Sequence, residues 1–164
     1  MFRPAMQVPK DASPEMAGNL ENLSKFIKAL DLAGQKLSFF YREPSTDDTS
    51  GPTTTSTSYV DLPPLKLNFT TTGGFLCVFC SATLSDDTSG QSVYMILAVN
   101  GSVIANTERV ATNTGGYLNA MSTFWMNALG AGIYEVKAQW KVDANTATAR
   151  TRNRAIGVLL VENA

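Results

Sequence analysis

The 164-residue sequence predicts a mainly β protein, an antiparallel sandwich preceded by an N-terminal α-helical coiled-coil stalk. Three observations support this prediction. Apolar residues in the first quarter of the chain recur with the a/d spacing of a coiled coil. From residue 59 onward, short apolar or alternating runs are separated by Gly, Pro and Asn-Gly turn signals, which is typical of antiparallel strands. Between these two regions lies a polar stretch rich in Ser, Thr, Pro and Gly, the composition of a linker.

Residues 1–12 are predicted to form an N-terminal anchoring arm. The segment contains two prolines and several apolar residues without a helical or strand period, so it either stays disordered or orders only against a partner. Its predicted anchors are Phe2, Met6 and Val8. If the protein belongs to a larger particle, this arm is the predicted attachment point to the other proteins of that particle.

Residues 13–42 are predicted to form a helical oligomerisation stalk. Ser13 is a favourable N-cap, and Pro14 suits the first helical position. The apolar seam that follows consists of Met16, Leu20, Leu23, Ile27, Leu30 and Leu37. A single helix cannot bury such a stripe alone, so the seam predicts bundling with other copies. A helix packed on its own head domain is the alternative.

Gly34 interrupts this seam between Leu30 and Leu37. It either ends the helix, leaving residues 35–42 extended, or is tolerated within a longer helix. The heptads do not distinguish a dimer from a trimer. Because about three heptads are marginal for a coiled coil, we expect the head to help hold the assembly together.

Residues 43–58 are predicted to be a Ser/Thr-rich linker, and residues 59–164 the β head. Within the head, Asn100-Gly101 lies between two β-like runs and predicts a hairpin. The last run, residues 155–162, is apolar at nearly every position, which predicts a strand in the middle of a sheet or against a subunit interface. Seven or eight short strands with no helix between them indicate an antiparallel sandwich.

Four stretches of the head carry a family resemblance. They are a Tyr-Val-Asp-Leu-Pro segment, a strand introduced by Gly-Gly, an aromatic strand leading to Trp140 and an apolar last strand, at residues 59–63, 73–79, 132–140 and 154–162. Their order resembles the trimeric jelly-roll heads related to the C1q and tumour-necrosis-factor fold, which are frequent on bacteriophage fibres and other virion surface proteins. The resemblance implies a jelly roll, threefold assembly and a binding or capping role, with no shared catalytic residues. The short stalk favours a compact spike or capsid decoration over a long fibre.

The residue types of the chain exclude several kinds of active site. It contains no histidine, which excludes Ser-His-Asp and Cys-His sites and histidine-ligated zinc. Cys77 and Cys80 lie in an apolar β-like run and are predicted to be structural thiols on opposite faces of a strand. The acidic pairs 47–48 and 86–87 are predicted to be solvated turns, because they lack the ligand spacing of a calcium loop. No catalytic residue, metal site or cofactor is predicted.

Three arginines near the C-terminus alternate along the chain: Arg150, Arg152 and Arg154. In an unbroken strand all three point to one face, and they could form a patch for phosphate, sulfate or an acidic glycan. The favoured alternative is a patch of inter-subunit ion pairs, in which the acids would be Glu108, Glu135 or Asp143.

The net charge of −1 gives no reason to expect nucleic-acid binding, and the charged fraction of 16% is low for a globular domain. No apolar run reaches the roughly 18 residues that span a bilayer, and the N-terminus does not match a secretory signal, so membrane insertion is not expected. The predicted location is a virion, with synthesis in the host cytoplasm.

These observations together predict a non-enzymatic virion structural protein of a bacteriophage. It would be a homotrimeric tail-fibre tip, spike or capsid decoration with an exposed β head, held to other virion proteins by its arm. Host attachment through a surface glycan or receptor is compatible with such a head. The alternative is a carbohydrate-binding module or bacterial adhesin head.

Overall fold

The computed structural model of the protein describes residues 34–43, 51–112, 118–144 and 149–163. Within these ranges the chain forms ten β-strands and one short 3₁₀ helix. The elements are β1 (Gln35–Arg42), β2 (Thr53–Thr54), β3 (Val60–Thr71), β4 (Gly74–Asp86), β5 (Ser92–Val99), β6 (Ser102–Val103), the 3₁₀ helix (Ala105–Thr107), β7 (Arg109–Thr112), β8 (Asn119–Leu129), β9 (Gly132–Val142) and β10 (Ala149–Asn163).

The strands form two antiparallel sheets. Sheet A has the order β1-β10-β4-β8, with β2 also paired to β10. Sheet B has the order β3-β9-β5-β6, with β7 also paired to β5. From β3 to β5, and again from β8 to β10, each strand lies in one sheet and the next lies in the other. This alternation is the strand order of a jelly-roll sandwich, and it confirms the predicted mainly β, antiparallel architecture.

The hydrophobic core lies between the two sheets, because alternate residues of each long strand point inward. In β4 these are Leu76, Val78 and Leu84, none of which is accessible to solvent. On the opposite sheet, Trp140 of β9 is among the largest fully buried side chains. The alternation of apolar and polar residues in β9 is therefore the pattern of a strand that faces the core on one side only.

Two predictions about individual strands are confirmed. Asn100 and Gly101 connect β5 to β6 with φ angles of 48° and 79°, the left-handed values that a two-residue hairpin turn of this type requires. The apolar last strand, β10, lies in the interior of sheet A, between β1 and β4.

The predicted helical stalk does not extend to residue 42. Gln35–Arg42 form β1 and pair with β10 along its final eight residues. Gly34 precedes β1 with a φ of 71°, so the alternative in which residues 35–42 are extended is the correct one. The prediction that Leu37 belongs to a helical seam is therefore wrong. The other seam positions, Met16, Leu20, Leu23, Ile27 and Leu30, lie outside the described residues, as do the predicted anchors Phe2, Met6 and Val8.

The second half of the predicted linker is part of the sandwich. Thr53–Thr54 pair with the start of β10, and the carbonyl of Ser56 accepts a hydrogen bond from the backbone of Val142 on β9. Residues 51–58 therefore cross from sheet A to sheet B. Their composition did not predict this, because polar residues that are held by backbone hydrogen bonds leave no hydrophobic pattern. Residues 44–50 lie outside the described part of the chain.

Glu162, near the end of β10, is a buried carboxylate that joins three elements. Its Oε1 accepts a hydrogen bond from the backbone N–H of Thr72 at 2.9 Å, and its Oε2 lies 3.3 Å from Nζ of Lys36. The hydrogen bond from Thr72, supported by Lys36, holds the pKa of Glu162 below its usual value. The carboxylate thus fastens the end of β10 to β1 and to the turn that follows β3.

We expect Glu162→Gln to lower the free energy of unfolding at pH 7 by about 1.5–3 kcal/mol, the range for a hydrogen bond to a charged group. Because the folded-state pKa is depressed, this stabilisation is present above the unfolded-state pKa of about 4.3 and is lost as the pH falls through the folded-state value. The difference between wild type and variant should therefore shrink as the pH is lowered below the unfolded-state value. Urea unfolding at pH 7 and over a series of lower pH values measures it, and a difference that does not shrink would contradict the assignment.

Candidate self-association surface

The outer face of sheet A is apolar across the four strands β1, β10, β4 and β8. Residues paired across antiparallel strands point to the same side of a sheet, so the register defines three rows on this face. The first row is Leu37, Val161, Phe75 and Ala128. The second is Phe39, Leu159, Cys77 and Met126. The third is Tyr41, Gly157, Phe79 and Phe124. None of these residues, which we call the outer face of sheet A, carries a charge.

Several large side chains of this face are exposed to solvent in the single chain. They are Phe39, Tyr41, Phe75, Phe79, Phe124 and Met126, and each is roughly half exposed. Since an aromatic side chain presents about 150–250 Å², this set exposes on the order of 600 Å². That value reaches the upper end of the largest apolar patches on monomeric proteins and approaches the roughly 800 Å² that each partner contributes to a standard interface. The face therefore has the size and composition of a contact surface.

A groove of about 600 Å³ runs along the third row. Phe39, Tyr41, Phe79 and Phe124 contribute aromatic surface to it, and Gly157 lies among them. A Cβ atom at Gly157 would lie 3.4 Å from the Phe39 ring, an ordinary van der Waals contact, so the ring packs directly over the strand at this position. The outer face of sheet A is thus both apolar and indented, which suits it to receive protruding side chains.

The outer face of sheet B has the opposite character. Nζ of Lys66 lies 2.5 Å from Glu135, and Nζ of Lys137 lies 2.6 Å from Asp61, which also accepts a hydrogen bond from Gln139 at 2.9 Å. The hydrogen bond from Lys66 lowers the pKa of Glu135, and the bond to Asp61 raises the pKa of Lys137. Charged residues at these positions suit a surface that stays in contact with water, so the two faces of the sandwich differ sharply in polarity.

Charged side chains of opposite sign reach the two edges of sheet A. Beside β1, Oη of Tyr41 donates a 2.6 Å hydrogen bond to Oε2 of Glu43, and this bond raises the pKa of Tyr41. Beside β8, Nε of Arg109 donates to the carbonyl of Ser122 at 3.2 Å, and Nη1 donates to the carbonyl of Glu108. Tyr41 and Arg109 both line the groove. An acid thus borders the apolar face on one edge and a base on the other.

The structure separates the three arginines that were predicted to share a face. A β-bulge shifts the register of β10 against β4 between Arg152 and Arg154, and alternation does not continue through a bulge. Arg154 consequently points inward, where it is 6% exposed and its Nε donates to the carbonyl of Pro63. The prediction of a common exposed face is therefore wrong for Arg154. The side chains of Arg150 and Arg152 lie outside the described part of the structure.

The two cysteines occupy opposite faces of β4, as the spacing predicted. Cys80 is buried in the core, and burial raises the pKa of its thiol to about 12. Cys77 is half-buried on the outer face of sheet A, and the two thiols are not bonded to each other. Among the described residues, no group of three or more Cys, Asp or Glu side chains is placed to hold a metal ion. The same part of the chain contains no helix long and apolar enough to span a membrane.

Most residues of the apolar face were not singled out from the sequence. Phe39 and Tyr41 fell within the predicted stalk, and Phe75 and Phe79 within a strand predicted only as apolar. A signal was nevertheless present: β4 and β10 carry apolar residues at successive positions, so each strand has an apolar side that the core does not use. Leu37 was predicted as an oligomerisation residue, and the structure places it in the first row of this face.

Comparisons with known proteins bear on the fold alone. No protein-family model matches the chain, and no curated protein matches it. Among solved structures, dimeric latent PorU from Porphyromonas gingivalis superposes with a TM-score of 0.50 at 14% identity, over 79% of this chain. The match covers only 13% of the PorU chain.

Two weaker likenesses were found in addition. Eiger TNF from S. frugiperda superposes with a TM-score of 0.45 at 13% identity, covering 80% of this chain and 95% of that one. A chain of infectious bursal disease virus, Gt strain, also gives 0.45, at 14% identity, covering 77% of this chain and 30% of that one. At such identities a likeness concerns the arrangement of strands and says nothing about activity.

Proposed function

We propose that the protein is a non-enzymatic virion structural protein that assembles as a homotrimer through the outer face of sheet A. The observation that carries the proposal is the contrast between the two outer faces of the sandwich. One is uncharged and aromatic over three successive rows, whereas the other carries interlinked ion pairs. No element in the described part of the chain covers the apolar face, and a second copy of the same chain would cover it.

The placement in a virion rests on the sequence resemblance of the head to the jelly-roll heads of phage fibres and decorations. In such a role the protein acts by geometry: it presents a symmetric surface many times on one particle. Weak individual contacts to a host glycan or receptor would then be strengthened by multivalency. The arm at residues 1–12 is proposed to attach the protein to other virion proteins.

Association through sheet A changes the role of the N-terminal seam. Leu37 lies in the first row of the apolar face, and the chain enters sheet A at Gln35, at the same end of the sheet. Copies joined through this face would therefore bring their preceding segments close together. We propose that the seam from Met16 to Leu30 adds to an interface whose main part lies in the head.

A second candidate function is supported by the groove. Aromatic rings beside a single guanidinium, as at Phe79, Phe124 and Arg109, are the lining expected of a small-ligand site, including one for a sugar. In a carbohydrate-binding module or adhesin head the groove would stay open and the chain would act as a monomer. Light scattering separates the two candidates, because only the carbohydrate-binding module is expected to stay a monomer, and a glycan array probed with the full chain then identifies the sugar that it binds.

Light scattering of the full chain over a wide concentration range tests the assembly. We expect a mass three times that of the 17.6 kDa chain. A chain that stays monomeric at high concentration would exclude the proposal. The virion assignment is tested by locating the protein in purified particles by peptide mass spectrometry and electron microscopy. Absence from particles, together with a trimer in solution, would overturn that assignment alone.

A further inference from the structure

We propose that Glu43 of one copy pairs with Arg109 of the next, so that neighbouring copies meet head to tail, with the β1 edge of one copy packed on the outer face of sheet A of the other, beside β8. This inference rests on the proposed self-association through the outer face of sheet A. It adds an ion pair that fixes the relative orientation of the copies. An apolar surface alone does not specify that orientation.

The two charged groups lie beside opposite edges of sheet A within one chain. Three strand spacings of about 4.8 Å separate β1 from β8 in sheet A, or roughly 14 Å in all. Each group instead has a local neighbour: Glu43 accepts the hydroxyl of Tyr41, and Arg109 donates to two main-chain carbonyls. A guanidinium has five N–H donors, so Arg109 can bind these carbonyls and still receive a carboxylate.

Both groups lie beside the same row of the apolar face. Tyr41 begins the third row on β1, and Phe124 ends it on β8. The groove that follows this row includes Tyr41 and Arg109 in its lining. A neighbour whose β1 edge lies over the β8 end of this row would therefore bring its Glu43 to the end of the groove where Arg109 lies.

A trimer requires a head-to-tail contact, and the signs of the charges suit one that joins the β1 edge of one copy to the β8 edge of the next. A twofold contact centred on the β1 edge would place Glu43 against Glu43, and one centred on the β8 edge would place Arg109 against Arg109. Both arrangements bring like charges together at the rim of an apolar surface, which opposes association. A head-to-tail contact pairs acid with base at every interface, and contacts of this kind form a closed ring when the rotation from copy to copy closes.

Charge reversal tests the pairing. We expect Glu43→Arg and Arg109→Glu, made singly, each to weaken self-association about tenfold or more, as measured by sedimentation of the full chain. The double variant carries the pair in reversed order and should regain most of the wild-type affinity. The matched control reverses an intrachain pair on sheet B, Asp61→Lys with Lys137→Asp, which should leave association unchanged.

The outcomes separate this inference from the proposed function. A wild-type chain that does not associate would overturn both. A chain that associates equally well with and without the single reversals, or a double variant that shows no recovery, would overturn the Glu43–Arg109 pairing alone. Circular dichroism of each variant verifies that the sandwich has folded, and recovery in the double variant shows that Arg109→Glu did not act by unfolding the chain.

Chemical cross-linking tests the head-to-tail arrangement. The variant carries Glu43→Cys and Arg109→Cys, with Cys77→Ser to remove the half-buried native thiol; Cys80 is retained because it is buried in the core. Because this variant lacks the proposed ion pair, it is cross-linked at a concentration at which sedimentation shows that it associates. A short bis-maleimide should link the copies into covalent trimers. Products that stop at the dimer, or linkage that is no faster than in either single-cysteine variant, would overturn the ring.

Discussion

Phe79→Asp is expected to dissociate the assembly at concentrations where the wild-type chain is a trimer. Phe79 lies in the third row between Gly157 and Phe124, and about half of its side chain is exposed in the single chain. In the assembly its replacement would bury an unpaired carboxylate among aromatic side chains. Central interface residues of this kind change binding by about 2–4 kcal/mol, so the association constant should fall at least thirtyfold.

Ile133→Asp is the matched control for this variant. Ile133 is 77% exposed and lies on β9 of sheet B, away from the proposed contact. The same substitution of an exposed apolar residue should therefore leave the mass measured by light scattering unchanged. Equal dissociation by both variants would show a general effect of charge on the chain, and no dissociation by Phe79→Asp would remove the outer face of sheet A as the contact surface.

Gly51→Ala is expected to destabilise the fold strongly, although position 51 was predicted to lie in a linker. A Cβ atom there would lie 1.7 Å from the carbonyl oxygen of Thr151, a main-chain atom that cannot turn aside. The backbone must shift, which would disturb the pairing of β2 with β10 close by. Overpacking of this kind costs about 1–3 kcal/mol, and more where main-chain atoms must move. Urea unfolding of the purified variant measures the loss.

Gly130→Ala provides the control for this substitution. A Cβ atom at Gly130 would meet no atom within 4 Å, and the residue lies in the turn between β8 and β9. We expect it to change the free energy of unfolding by less than about 0.5 kcal/mol, the usual range at an unconstrained surface position. If Gly51→Ala were equally mild, residues 51–58 would behave as the linker that their composition indicates.

The N-terminal boundary of the sandwich shows where sequence periodicity is ambiguous. The seven-residue step from Leu30 to Leu37 fits a heptad, but Leu37, Phe39 and Tyr41 also alternate with the period of a strand. A short apolar segment supports both interpretations equally well. The strand conformation of residues 35–42 is set by their pairing with β10. That strand is apolar on both faces, and β1 covers its edge. That pairing joins residues more than a hundred positions apart.

The prediction that the three arginines share one face is wrong for a different reason. Alternation of Arg150, Arg152 and Arg154 predicts a common face only if the strand is regular. One extra residue in the ladder, between Arg152 and Arg154, is enough to turn Arg154 into the sandwich. A bulge depends on the pairing between two strands. The alternation of residues within one strand therefore does not predict it.

The sequence by itself determined the class of the fold and the Asn100-Gly101 hairpin, and it limited the last strand to the middle of a sheet or a subunit interface. These follow from local patterns, since turn chemistry and the distribution of apolar residues are properties of neighbouring positions. Only the tertiary structure decided that β1, β4, β8 and β10 lie side by side in one sheet, and hence that their second apolar sides form one continuous face. Strand neighbours are set by long-range pairing and by the way two sheets close over a shared core, so an oligomeric surface built from four distant segments becomes visible only after the chain has folded.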